Sequence, residues 1–284
     1  MKFYHVYTKG LKDDLIFRDR EDFITGMNYV PVSIQLSGAA VVAFVLMSNH
    51  LHFILYSSRK NAEMFIDTYK RIISRYISNK YGVRKLLRSV PTTCSEIDLS
   101  DDSLKRIIAY VLNNPVNAGI NCIAQNYEWG SGRCYFTNCV DRLSKPLCEY
   151  TVRERCSLLK SQVELSGHFR FNSHGYIEPG QYVMSDIVEK LYRSPKSMEY
   201  FLSTSHKAGA DISKDGPITF SDNLVLAGLN ELLDKRYSGV SISDLSLTLR
   251  IKIILELRKQ FNCTKKQLSR VTGISLRDIV NMLE

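Results

Sequence analysis

The sequence predicts an α+β fold, and three observations predict it. Short stretches rich in β-branched and aromatic residues at 3–8, 39–47 and 51–57 have the length and composition of strands. The second and third are separated by little more than Ser48 and Asn49, as in a hairpin. Around them lie longer segments whose apolar residues recur every three or four positions, as on helices.

Taken in order, residues 19–29 open on acidic side chains and place Phe23 and Met27 four apart, which suits a short amphipathic helix. At 61–81, Met64, Phe65, Tyr69, Ile72, Ile73, Tyr76 and Ile77 follow helical spacing with basic residues between them, and Gly82 supplies a stop. Residues 89–99 read as a short strand and turn. Ser100 is expected to cap a helix with Asp101 and Asp102 in its first turn, where the helix dipole favours acids. That helix should run to about Asn114, since Pro115 breaks it. The order β-α-β-β-α-β is the split βαβ pattern of a ferredoxin-like domain. A fold of this kind implies no chemistry by itself.

Three divisions follow: a domain over 1–138, a mostly helical middle region over 139–244, and a C-terminal segment over 245–284. In the middle region 144–167 and 185–207 look helical, on either side of the Gly- and Pro-punctuated loop "SHGYIEPGQYV". No activity attaches to it. In the last segment a basic amphipathic helix at 247–261 precedes helices at 264–271 and 275–283, with Gly273 at the turn. These are the dimensions of a helix-turn-helix, whose second helix can enter a major groove.

The chain has 284 residues, 44% of them apolar, with 38 Lys and Arg against 29 Asp and Glu, a net charge of +9. The positive charge is clustered. One cluster runs from Arg59 to Arg88 and includes Lys70, Arg71, Arg75 and Lys80; another includes Lys265, Lys266, Arg270 and Arg277. Two basic surfaces suit a polyanionic partner, and aromatic residues among the first (Tyr69, Tyr76, Tyr81) suit single-stranded nucleic acid. Lys70, Arg71, Arg75, Lys265, Lys266, Arg270 and Arg277 are therefore the candidate DNA contacts. Seven cysteines without a C-x-x-C pair argue against a disulfide framework or a zinc ribbon. No secretory leader or membrane span is evident, so a cytoplasmic, nucleoid-associated protein is expected.

Chemistry is suggested by "FVLMSNHLHFILYS" at 44–57. On a strand, i and i+2 share a face, so His50 and His52 would present two imidazoles side by side. On the helix before Pro115, Tyr110 and Asn114 are four apart and share a face as well. Two imidazole nitrogens, an amide oxygen and a phosphate oxygen would suit Mg²⁺ or Mn²⁺. The cation would polarise a phosphodiester for attack by the tyrosine, whose pKa near 10 makes such help necessary. Zinc would need a further ligand, and His5, His168, His174 and His206 sit in no recognisable motif. Asn113 stands beside Asn114 as a second candidate for the amide ligand.

"LMSNHLHFIL" resembles the His-hydrophobic-His motif of the HUH single-strand nucleases. "YVLNNPVNAG" resembles the tyrosine-bearing helix of the Y1 transposases within that superfamily, the IS200-like enzymes and especially the REP-associated tyrosine transposases. "YEWGSGRCY" resembles the aromatic-Ser segment that follows in them. The resemblance covers about residues 1–138. It implies His50, His52 and Asn114 as metal ligands and Tyr110 as the nucleophile that cleaves single-stranded DNA. The products would be a 5′-phosphotyrosine and a free 3′-hydroxyl, beside a DNA hairpin, with no need of ATP. It leaves open a monomer or a homodimer, and cleavage in cis or by an exchanged tyrosine helix. The sequence departs from the pattern at Asn117, where relatives carry a basic residue, and at Gly130 and Gly132, where they tend to carry serines. A non-catalytic DNA-binding regulator, and a phosphodiesterase without a covalent intermediate, are the rival readings.

Overall fold

The computed structural model describes residues 1–11, 14–83, 86–87, 90–118, 120, 123–137, 144–212, 222–261 and 263–283. Arg84, Lys85 and Arg88 of the first basic cluster, and the 138–139 boundary, lie outside them. The fold is α+β, with one four-stranded antiparallel sheet and many helices.

The chain runs β1 (Lys2–Thr8), α1 (Arg20–Ser37), β2 (Ala40–Leu46), β3 (Leu51–Ser57), α2 (Arg59–Tyr81), β4 (Thr92–Glu96), and the strands lie in the order β2-β3-β1-β4. β2 and β3 form the expected hairpin, closed by the Met47 N–H donating to the His50 carbonyl at 2.9 Å. α1 and α2 pack on each other across one face of the sheet. Phe53 of β3 meets Phe65 and Tyr69 of α2 there, at ring distances of 5.0 and 5.2 Å.

α1 differs from the expected helix in length. It starts where its acidic residues predict, with Asp19 and Asp22 forming a reciprocal capping box, but it continues past Tyr29 through Pro31 to Ser37 and the left-handed Gly38. Proline inside a helix removes a hydrogen bond. Burial of Thr25, Met27, Val30 and Val32 against α2 and the sheet outweighs that cost. α2 follows its pattern closely, capped by the Ser58 hydroxyl and stopped at Gly82 with φ +73°.

The ends of α1 and α2 are tied by charge. Lys80 Nζ lies 2.7 Å from Asp19 Oδ2 and 2.9 Å from Asp22 Oδ1. Asp22 is fully buried and also accepts from the Tyr76 and Tyr81 hydroxyls and the Arg18 N–H. The three carboxylates around it hold the Lys80 ammonium above its usual range, although burial alone would lower it. Tyr69, Tyr76 and Tyr81 are thus turned toward α1: Tyr69 is wholly buried and donates to the Gly26 carbonyl, so it offers no face to a base.

On the other face lies α3 (Ser103–Leu112), followed by one further turn, α4 (Asn114–Asn117), with Pro115 in its first positions. Here one expectation is corrected. Ser100 does not cap α3: Asp101 and Asp102, with φ of 49° and 59°, make a left-handed turn that delays the helix to Ser103. Asp tolerates that conformation better than most residues. α3 ends at Leu112, before Pro115 as expected, and Pro115 opens α4, where its missing N–H falls in a first turn and needs no intrahelical acceptor.

The middle of the chain wraps the same core. Of 144–167 only α5 (Val152–Leu159) is α-helical, with a single 3-10 turn at Leu147–Glu149, since the segments beside it pair as a return, with Leu147 N–H donating to Phe169 O and Cys148 N–H to Gly167 O. The helix expected over 185–207 is two, α6 (Ser185–Tyr192) and α7 (Pro195–Ile212), broken at Arg193 (φ 66°) and the residue before Pro195. Phe171, Tyr176, Ile177, Val188, Tyr192 and Leu202 join one continuous core with β1, β2 and β3.

A second, smaller core gathers α8 (Asp222–Tyr237), which sequence pattern did not reveal, with α9 (Leu247–Phe261), α10 (Lys265–Thr272) and α11 (Leu276–Leu283). α9, α10 and α11 fall where the periodicity places them, with Gly273 left-handed between the last two. Leu15, from the segment before α1, is buried in this second core. No described helix is long and apolar enough to cross a membrane.

Removal of one partner from a buried carboxylate is costly even when other donors remain. Lys80→Met should therefore lower stability by about 2 kcal/mol. Urea unfolding monitored by circular dichroism measures this, and an unchanged midpoint would contradict it.

Candidate active site

β3 sets the site. Its pleat sends Phe53 toward α2 and His52 toward α3, where the His52 ring meets Tyr110 edge-on at 5.7 Å. His50 is not on the strand, as the alternation supposed; it is the last residue of the hairpin turn. The two imidazoles are nevertheless adjacent, 5.1 Å between ring centres and nearly perpendicular. Both are buried.

Hydrogen bonds fix how His50 is presented. Asn49 donates its amide to the Leu11 carbonyl at 3.0 Å, which aims its Oδ1 at His50 Nδ1, 2.7 Å away. An amide oxygen there requires a proton on Nδ1, leaving a lone pair on Nε2. Asn114 is oriented the same way: its Nδ2 donates to the Tyr110 carbonyl at 3.1 Å, so its Oδ1 faces His50 Nε2 at 3.2 Å. Two lone-pair atoms therefore face each other.

A proton could join them, but burial pulls the His50 pKa down to about 4, outweighing the Asn114 oxygen that favours the charged ring. Burial brings His5 to about 4 as well, and puts His52 well below its ordinary value, with the neighbouring imidazoles adding to the effect. All three rings are neutral near pH 7. His52 Nε2 is buried with no hydrogen-bond partner.

Such a set can receive a cation. Among the described residues no group of three or more His, Cys, Asp or Glu is arranged for a metal ion. The donors present are two neutral imidazoles and a neutral amide, which fit a divalent ion that completes its shell with oxygen from water or phosphate. A neutral donor set leaves the full dipositive charge to attract an anion.

Of the two asparagines, Asn114 is the one at the histidines. Asn113 donates its Nδ2 to the Leu202 carbonyl of α7 at 2.6 Å. That bond, with Lys105 Nζ lying over the Phe201 ring at 5.3 Å, holds the tyrosine helix from behind.

The "YEWGSGRCY" segment stabilises the hairpin from the side. Leu46 N–H donates to the Trp129 carbonyl, Ser131 N–H to the Phe44 carbonyl, and Ser131 Oγ accepts from the Phe44 N–H and the Tyr135 hydroxyl. Gly130 and Gly132 have a reason to lack side chains. A Cβ on Gly130 would lie 2.9 Å from the Phe44 oxygen, and one on Gly132 2.9 Å from the Ala124 oxygen. Trp129 stacks on Phe23 at 4.9 Å under the Arg20 guanidinium, so it packs at the surface.

The basic candidates are spread out. Arg71 and Arg75 are exposed on α2, and Lys266 and Arg277 on α10 and α11. Lys70 donates to the Val90 carbonyl and the Thr92 hydroxyl, tying β4 to α2, and burial lowers its pKa. Arg270 pairs with Asp222 at 2.8 Å, and Lys265 is half-buried at the start of α10. None of them lies on the segments that carry the histidines and Tyr110.

Two residues of the site were missed by the sequence reading. Asn49 is recognisable only as a turn residue. His5 reaches the site because β1 pairs with β3, a long-range register that the local pattern does not encode.

No family model matches the chain, and no curated protein matches it. Among solved structures, a REP-associated tyrosine transposase bound to a REP hairpin is similar over 61% of this chain and 93% of that one, at 10% identity and a TM-score of 0.31. A likeness at that level assigns neither fold family nor function.

The unfolded chain takes up protons at its histidines near pH 6.5, whereas buried His5 and His50 do so only near 4. The unfolded state thus binds more protons across that window, and stability should fall as pH drops through it. The loss should be at most about 1.4 kcal/mol per pH unit for each ring. Urea unfolding of chelator-treated protein at pH 7, 6 and 5 tests this; pH-independent midpoints would refute it.

Proposed function

We propose that the chain is a metal-dependent single-strand DNA nuclease and strand transferase of the HUH tyrosine-transposase kind, built on a ferredoxin-like catalytic domain. The observation that carries the reading is the meeting of His50, His52, Asn114 and Tyr110, from a hairpin and a helix far apart in sequence, in one cluster whose histidines are buried and whose Asn114 and Tyr110 are half-buried. The motifs that resemble that family supply the same four residues.

On this reading His50, His52 and Asn114 would hold Mg²⁺ or Mn²⁺, which would supply polarisation of the scissile phosphate. Tyr110 Oη forms a bond to phosphorus as the bond to the 3′-oxygen breaks. The phenol proton leaves Oη, and the 3′-oxygen departs protonated as a hydroxyl. The 5′-phosphate remains on the tyrosine and can be returned to another 3′-hydroxyl without an external energy source.

The substrate is single-stranded DNA next to a hairpin. Residues 245–284 form a helix-turn-helix that contacts the duplex part through Lys266 and Arg277, with Lys265 and Arg270 beside them, while Arg71 and Arg75, with Lys70 at their base, lie along the backbone. The exposure of Arg71, Arg75, Lys266 and Arg277 supports this division. We place residues 1–138 as the catalytic domain and the part of 139–244 that shares its core, through Leu202, as its brace, with α8 joining the C-terminal helices instead; such a protein would work in the cytoplasm at the nucleoid.

The test uses the full chain with labelled single-stranded DNA from the flanks of its own gene, Mn²⁺ or EDTA, and a denaturing gel. A metal-dependent covalent adduct that falls by more than about 1000-fold in Tyr110→Phe is expected. An adduct that survives the substitution would sink the assignment of the nucleophile. Shifted complexes without any adduct or cut would favour the non-catalytic regulator.

Binding should also weaken linearly as log salt rises. Lys266→Ala and Arg277→Ala should each reduce the slope by about 1. Slopes unchanged in both would remove these two residues from the interface.

A further inference from the structure

His52 can offer its buried Nε2 to a ligand only if its proton sits on Nδ1. That nitrogen lies 3.1 Å from Nε2 of His5, a buried residue of β1. Their planes are 15° from parallel and their centres 5.3 Å apart, the separation of two imidazoles that meet edge to edge, so the bond lies close to both ring planes. The pairing of Tyr7 with His52 and of His5 with Ile54 sets the two histidines diagonally on the same side of the sheet.

A hydrogen bond between the two rings takes one proton, and its owner decides what His52 can do. If His5 donates, the His52 proton is left on Nε2, which has no acceptor in its buried surroundings and cannot bind a cation. If His52 donates to the His5 lone pair, Nε2 is left bare. We infer that His5 is a positioning residue that holds His52 in the tautomer with its proton on Nδ1, presenting Nε2 to the cation.

This rests on the metal-dependent reading and adds a residue outside its motifs. A neutral acceptor is a consequential choice. A carboxylate in this place would orient the ring equally well but would neutralise part of the charge that must attract phosphate. An imidazole orients the ring and leaves that charge undiminished. Asn49 has the same task for His50, also with an uncharged oxygen. The two histidines are thus set by two neutral partners from different parts of the chain.

The test compares the wild type with His5→Phe, which keeps a ring but no acceptor, and His5→Gln, whose amide oxygen can accept. Nitrogen NMR of the imidazoles in metal-free full-length protein reads the His52 tautomer, and titration with Mn²⁺ alone, followed by electron paramagnetic resonance, reads affinity. The wild type should show His52 protonated on Nδ1. His5→Phe should lose that preference and bind Mn²⁺ about 10- to 100-fold more weakly, with His5→Gln restoring both.

Wild-type affinity and tautomer in His5→Phe would overturn the inference, as would His52 protonated on Nε2 in the wild type. If the wild type binds no Mn²⁺, the cofactor reading falls, and the nitrogen shifts alone decide the role of His5. Should His5→Phe fail to fold, the wild-type shifts together with His5→Gln carry the same decision.

Discussion

The register between β1 and β3 is the constraint on which the site depends. Pairing Tyr7 with His52 puts His52 on the α3 face and Phe53 on the face covered by α1 and α2. A slip of one residue would exchange those faces, pressing an imidazole into the apolar layer and removing it from Tyr110. The register is held by apolar packing on one side and by hydrogen bonds on the other. Among these are the Thr8 hydroxyl accepting from the Leu51 N–H and the His5 to His52 contact. Core and site are therefore specified together.

Burial is the second determinant. It keeps three imidazoles neutral where water would let them titrate, and it leaves lone pairs of His50 and Asn114 face to face. An arrangement of that kind is unfavourable for a simple core, which would pair each acceptor with a donor. Its persistence is intelligible if the site is built for a cation. The amides of Asn49 and Asn114 each spend their N–H groups on backbone carbonyls, so their oxygens are committed to the histidines.

Much of this was legible in local sequence because the relevant signals are local. The hairpin, the i, i+4 spacing of Tyr110 and Asn114, and the ends of α2 and α10 at Gly82 and Gly273 depend on turn and helix chemistry alone. What escaped depends on distant contacts. Pro31 lies inside α1 because burial against α2 outweighs a local penalty. Lys70 reads as a cation for DNA, yet its ammonium is bonded to residues twenty and more positions away. The start of α3 was misread because an acidic pair suits either a first turn or a left-handed bend, and only the fold decides between them. α8 has weak helical amphipathicity, so it left no pattern to find.

The treatment of the sheet's borders has a further consequence. The outer edge of β2, an apolar strand, is occupied at one end by Trp129 to Ser131 and at the other by Val183 and Met184, whose backbones bond to Leu46, Phe44 and Val41. The opposite border is β4, five residues long, with the sequence TTCSE and an acidic end. An unprotected strand edge is a template on which another molecule can add a strand. Here the long apolar edge is covered, and the other is short and polar. The folded chain is thus guarded against self-association into fibrous aggregates at the very strand that precedes its histidines.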